Sequence, residues 1–301
     1  MVRLPGLLRM FRTALKAWYT DNAARLGASI AYYTLFSLGP VLLVAIGIAG
    51  TVFRPEDVQG RVQGQLTELL GAEGARAVQA MLEGAQNHKA GVLATIIGGV
   101  TFLLAATGAF MELQNAFNQI WRVKPKEGFG VAGFIKQRLV SFGLVVAIGF
   151  LLLVALVVSA ALSAVADWVS ARAPGLPFVW AAFDMILSLG VITVLFAILY
   201  RVLPDVKLRW SDVWTGAAAT ALLFTIGKFL IGLYLGQSGT ASSYGAAGSV
   251  VIVLLWVYYT SQVVLLGAEF TRVYTRRERS KPQPADWAER CALPGRKVVG
   301  G

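Results

Sequence analysis

Apolar residues come in long runs along this chain, and basic residues gather in the short polar stretches between them. The clearest run covers 245–268, within SSYGAAGSVVIVLLWVYYTSQVVLLGAEFTRVYTRRERSK (242–281). It carries no charge, and a helix needs about 20 such residues to cross the hydrocarbon of a bilayer. Five further runs of this kind cover about 30–53, 91–110, 139–165, 179–200 and 213–235. The first contains Pro40, which predicts a kink or break near Gly39.

Two stretches have helical periodicity without the length to span. In 1–29, Leu7, Leu8, Phe11, Leu15, Trp18 and Tyr19 recur at helical spacing among Arg3, Arg9, Arg12, Lys16 and Arg25. This predicts a short helix lying on a membrane surface. In 54–90, Val58, Val62, Leu66, Leu69 and Leu70 fall on one face, and Val78, Met81 and Leu82 on another after Gly71 and Gly74. That pattern predicts an amphipathic helical hairpin between the first two spans.

Composition agrees with the membrane class, with 56% hydrophobic and only 14% charged residues. The net charge of +11 could suggest a nucleic-acid partner. Its distribution gives a different meaning. If both termini are inside, 21 of the 27 Lys and Arg fall in the inner segments 1–29, 111–138, 201–212 and 268–301, and 5 in the outer segments. Cations held on the cytoplasmic side orient the spans and meet anionic lipid there. The expected fold is therefore an all-α integral membrane protein of six spans. The hairpin lies on the extracytoplasmic side, both termini are cytoplasmic, and a basic tail over 275–301 is disordered. Leu4 to Leu8 is too short for the apolar core of a cleavable signal.

Two ionisable residues lie inside proposed spans, Asp184 in the fourth and Lys228 in the fifth. At ~1.5 Å per helical residue, each sits roughly 8–11 Å from the outer end of its helix. Matched depth on neighbouring helices predicts that they pair or line one polar pathway. Tyr258, Gln262 and Glu269 share one face of the sixth helix, and Glu269 can balance Arg272. Glu112 occupies a similar inner boundary on the second. Gly232 with Gly236, and Gly245 with Gly248, offer small faces for close helix packing. Tyr32, Tyr33, Trp180, Trp210 and Trp214 stand near span ends as interfacial anchors.

Several chemistries lack their residues. There is no GxxxxGK[ST] phosphate loop, and no HExxH or Cys/His cluster for zinc. His88 is the sole histidine, in the outer hairpin, and Cys291 the sole cysteine, in the tail. No catalytic, metal or cofactor-binding residue is assigned, and no enzymatic activity is expected.

Five stretches carry a family likeness: DNAARLGASIAYYTLFSLGP, FMELQNAFNQIW, LYRVLPDVKLRWSDVWTGA, GKFLIGLYLG and SSYGAAGSVVIVLLWVYYTSQVVLLGAEF. In this order, from about Asp21 to Tyr274, the chain resembles the YihY/BrkB family of bacterial inner-membrane proteins. The resemblance implies six membrane helices and residence in the inner membrane. It marks Lys228, Tyr234, Tyr244, Gly245, Trp256 and Glu269 as family-typical. The family's old ribonuclease label finds no support in these residues. What the resemblance implies is a transporter or translocator of a small solute or envelope lipid, without its own ATPase. A scaffold or regulatory membrane protein, binding partners through basic inner loops, is the alternative, and a membrane enzyme comes last.

Overall fold

A computed structural model describes residues 4–49, 64, 79, 108–126, 143, 177–237, 248–277 and 282–291. The first helix, α1, is Leu4–Thr20. It stops at Asp21–Asn22, where Asn22 takes a left-handed φ of 55° that asparagine tolerates better than most residues. The second, α2, is Ala23–Ala49. It begins seven residues before the expected span and runs through Pro40 without the expected break. α3 is helical over 108–121, so it continues well past the expected end at 110. Arg122, with φ 57°, ends it in the left-handed conformation common after helix C-termini.

α4 is Pro177–Val202, with proline in the first turn, where its missing N–H costs nothing. α5 is Trp210–Gln237. Its start is capped by Asp212, whose Oδ2 accepts from the Arg209 N–H at 3.3 Å. α6 is Gly248–Arg277, extending nine residues beyond the apolar run. Among the described residues, Trp210–Ile231 of α5 and Val250–Arg276 of α6 are long and apolar enough to cross a membrane. Most of the expected second and third spans, and of the outer hairpin, lie outside the described residues. Residue 143 of the third span and residues 64 and 79 of the hairpin are helical.

α5 and α6 pack antiparallel at very close range. Thr271 occupies the space a Cβ on Gly216 would need, and Thr220 and Tyr200 occupy that space at Gly267. Small residues at both positions let the two backbones approach. The Tyr200 hydroxyl of α4 joins them, 2.8 Å from Thr220 Oγ1 and donating to the Val264 carbonyl at 2.9 Å. The Thr271 and Thr275 hydroxyls donate to the carbonyls one turn back, at Gly267 and Thr271. Their polarity is thereby satisfied inside the packed face. The close approaches seen are these, together with Gly27 against Gln262 and Gly227 against Tyr259. The side-chain surroundings of the expected Gly232–Gly236 pair lie outside the described residues.

The buried core sits toward one end of the helices. It joins Leu26 and Ile30 of α2, Phe117 and Ile120 of α3, Tyr200 of α4, Val213 and Ala217 of α5 and Leu265 of α6. Away from it, Tyr32, Phe36, Met185, Ile186, Ile226, Phe229 and Leu230 are exposed, the distribution of a bundle bathed in lipid.

Four short strands close the core end. β1 is Val123–Pro125, β2 Val206–Lys207, β3 Gln283–Pro284 and β4 Ala288–Arg290. β1 pairs antiparallel with β4, Lys124 opposite Glu289, and β2 with β3, Lys207 opposite Gln283. The expectation of a disordered tail is therefore corrected for two pieces. Residues 275–277 continue α6, and 282–291 fold back as a strap across the loops after α3 and α4. The reason is local. Ala285 and Ala288 are buried, and Trp287 finds a carboxylate for its indole N–H. Proline in so short an edge pairing withholds no needed donor.

Replacing Gly267 by valine forces Cβ into Thr220 and Tyr200. It is expected to destabilise the detergent-solubilised protein by about 2–3 kcal/mol, as overpacking does. Gly190→Ala, at an exposed position inside α4 with nothing near the added carbon, should not lower the unfolding temperature and serves as the control.

Candidate functional site

The densest charge chemistry lies where the turn between α1 and α2 meets α3 and α6. Asp21 follows directly on α1, and its Oδ1 accepts from Arg122 Nη2 at 2.8 Å. Its Oδ2 faces Arg272 Nη2 at 3.3 Å. The same Arg272 nitrogen lies 2.6 Å from Glu269 Oε2, one helical turn earlier on α6. Arg272 Nη1 donates to the Ile120 carbonyl, one of those left over at the end of α3. Gln119 Nε2 donates to the Asp21 carbonyl at 3.1 Å. Two carboxylates and two guanidiniums thus balance in charge.

This knot is dry on the α6 side. Glu269 is 0% exposed and Arg272 5%. Asp21 Oδ2 and Glu269 Oε2 meet Arg272 by ion-pair contact alone, and Glu269 Oε1 and Arg272 Nε have neither a hydrogen bond nor an ion pair among the described residues. Burial of an ion pair is favourable only when geometry is good and the remaining polar atoms are satisfied. Here the ion pairing is close, but two polar atoms are left over.

A second hub is Asp205, in the loop between α4 and α5, and also buried. Its Oδ1 accepts from Gln114 Nε2 at 3.2 Å and Trp287 Nε1 at 2.9 Å, and its Oδ2 from Asn118 Nδ2 at 2.7 Å. Its own N–H donates to Asn118 Oδ1, and its carbonyl accepts from the Ala285 N–H. One carboxylate thereby ties α3, the α4–α5 loop and the strap together. Outside it, Lys207 reaches Asp286 at 2.6 Å and Lys124 reaches Glu289 at 3.1 Å. The Lys207 ammonium holds the exposed Asp286 carboxyl below its ordinary 3.8.

The expected site residues are placed unequally. Lys228 is half-buried on α5, and Asp184 lies on the neighbouring α4, whose side chain at this position is outside the described residues. Whether the two meet is therefore outside what is described. Tyr244 and the side chains of Tyr234 and Trp180 are also outside. Glu112 accepts from Ser29 Oγ at 2.5 Å, joining α3 to α2. Tyr258 is half-buried on α6, and Gln262 stands over Gly27 of α2. Glu269 pairs with Arg272 as the sequence suggests, but with Asp21 and Arg122 gathered around the same guanidinium.

Asp21, Arg122, Asp205, Gln114 and Asn118 were not among the expected site residues. One signal was available: Gln114 and Asn118 stand four residues apart, so one helical face presents two amides. Among the described residues, no three His, Cys, Asp or Glu side chains gather as a metal would require.

A family model described as Virulence factor BrkB matches residues 14–290. A UPF0761 membrane protein of Rhodospirillum centenum is 30% identical over 274 residues, covering 89% of this chain and 58% of the relative. One from Ralstonia nicotianae is 28% identical over 88% of this chain and 58% of its own length. Another, from Vibrio campbellii, is 27% identical over 91% of this chain and 85% of its own. The chain thus spans less than two thirds of several of the relatives it matches. No solved structure matches.

Asp205→Ala leaves three donors around an empty space. It is expected to cost about 3 kcal/mol, since hydrogen bonds to a charged group contribute most and orphaned buried donors add a penalty. Trypsin cleavage after Arg290 should accelerate at the same time. Asp286, with its lowered value, contributes above pH 3.8 and loses its contact as pH falls below it. At neutral pH the strap should therefore resist trypsin unless Asp205 is changed.

Proposed function

The chain belongs to the BrkB family of membrane proteins, and from that premise we propose a membrane translocator of a small solute or envelope lipid, without ATPase or other enzymatic activity of its own. The observation that carries the reading is the buried charge on α6. Glu269 and Arg272 are withdrawn from water on a helix able to cross a membrane, and Glu269 Oε1 has neither a hydrogen-bond nor an ion-pair partner among the described residues. Ionisable groups at such positions are costly to keep and serve pathways more often than packing. The helices that carry Asp184 and Lys228 pack together, which is compatible with a polar pathway between them.

The topology we propose has six spans in a bacterial cytoplasmic membrane with both termini inside. It is supported by the way Asp21, Arg122, the loop at 203–209 and the strap meet at one end. These are the cation-rich segments that the charge rule assigns to the cytoplasm. Anionic lipid is the expected partner of the basic residues there. No nucleic acid is expected.

A scaffold reading has one observation in its favour. The Asp21, Arg122, Glu269 and Arg272 charges neutralise one another inside the chain, as a rigid frame would need.

Purified protein in proteoliposomes should accelerate flux of at least one member of a panel of inorganic ions, amino acids, sugars and fluorescent phospholipids. Lys228→Met should lower that flux by about tenfold or more while the protein still folds. Equal rates with and without protein across the panel would replace the translocator with the scaffold.

A further inference from the structure

α1 presents three different faces. Met10 and Ala14 are buried, packed with Phe270 and beside Leu266, Val273 and Tyr274 of α6 and Ala219 of α5. This flank fixes α1 to the bundle. A second flank is apolar yet exposed: Leu8 by 69%, Phe11 by 39%, Leu15 by 46% and Tyr19 by 79%. At 3.6 residues per turn these four fall within about 80° of one another. The third flank adjoins the second and carries Arg9, Arg12 and Lys16, all exposed. No Asp or Glu occurs in Leu4–Thr20.

A large apolar face left open on a helix, bordered by cations, marks an interaction surface. Its depth points to the partner. Trp214 and Trp210 stand exposed on α5, about one and a half and two and a half turns from Ala219, and Arg201 lies 4.1 Å over the Trp210 ring. Indoles beside a guanidinium are typical of the boundary between acyl chains and headgroups. Ala219 is in the group packed around α1, so α1 meets the bundle close to that boundary.

We propose that α1 docks on the leaflet of an anionic phospholipid bilayer, with Leu8, Phe11, Leu15 and Tyr19 in the acyl region and Arg9, Arg12 and Lys16 on lipid phosphates. This rests on the proposed contact between basic segments and anionic lipid, and locates it. Because Met10 and Ala14 hold the helix to α6, the lipid contact is made by an arm of the bundle rather than by a loose tail. Asp21, the carboxylate that faces Arg272, directly follows this arm.

The test uses the full chain with Cys291→Ser, carrying a nitroxide at Leu15→Cys or at Thr13→Cys, the latter on the polar flank. The protein is placed in nanodiscs of phosphatidylcholine with or without phosphatidylglycerol. With phosphatidylglycerol, the ratio of oxygen to nickel-chelate accessibility at position 15 should exceed that at 13 by about fivefold. That ratio should fall by about twofold or more without phosphatidylglycerol, and likewise with Arg9→Glu, Arg12→Glu and Lys16→Glu combined. If the triple variant does not fold, the lipid comparison on the native cations decides alone. Equal ratios at 13 and 15 would mean a wet face suited to a protein partner and would overturn the proposal. So would immersion of position 15 that ignores lipid charge. Nanodiscs offer both leaflets, so neither the sidedness of α1 nor any transport enters the result.

Discussion

A single guanidinium joins three parts of the chain that lie far apart in sequence. Arg272 meets Asp21 after α1, Glu269 on its own helix and the Ile120 carbonyl at the end of α3. Once one end of an ion network is buried, removing a member leaves an unpaired charge in a dry place, which costs several kcal/mol. The geometry of the α1–α2 turn, the exit of α3 and the last turns of α6 therefore depend on one another. Arg122 reinforces this, since its left-handed backbone ends α3 while its side chain holds Asp21.

The rest of the core end follows from that constraint and from close backbone packing. Notches at Gly216 and Gly267 bring α5 against α6, and Tyr200 adds α4 through its hydroxyl. Asp205 then fastens the strap with neutral donors in place of a cation. Two kinds of polar joint thus serve the same end of the bundle, a balanced ion knot and an amide-and-indole cradle. Both lie beside the helices that are long and apolar enough to span a membrane. Shape and charge are fixed together at that end.

Much of this was legible in the hydrophobic pattern. The apolar runs marked α4, α5 and α6, and the amphipathic period in 1–29 marked α1. The gathering of basic segments at one end was visible as a charge asymmetry. Glu269 with Arg272 was visible because one turn of helix separates them. What stayed hidden was pairing across long separations. Asp21 read as a lone acid among cations, and nothing local indicated Arg122, about 100 residues on. Asp205 looked like a loop residue because its donors come from α3 and the strap. The strap itself was hidden by its prolines, which suggest disorder in isolation, whereas Pro284 is compatible with a short edge pairing. Helix ends ran past the apolar runs at α3 and α6 because small and polar residues such as Thr271 and Thr275 satisfy themselves on the helix backbone.

The interdependence around Arg272 can be measured by a double-mutant cycle on reversible unfolding with Glu269→Gln and Arg272→Met. Arg272→Met alone should cost about 3–5 kcal/mol, because it leaves the buried Glu269 carboxyl without its partner. Adding Glu269→Gln should recover about 2 kcal/mol of that loss, giving a coupling well beyond the scatter of independent sites. Strictly additive losses, within about 0.5 kcal/mol, would contradict the account and reduce the knot to charges that happen to be neighbours.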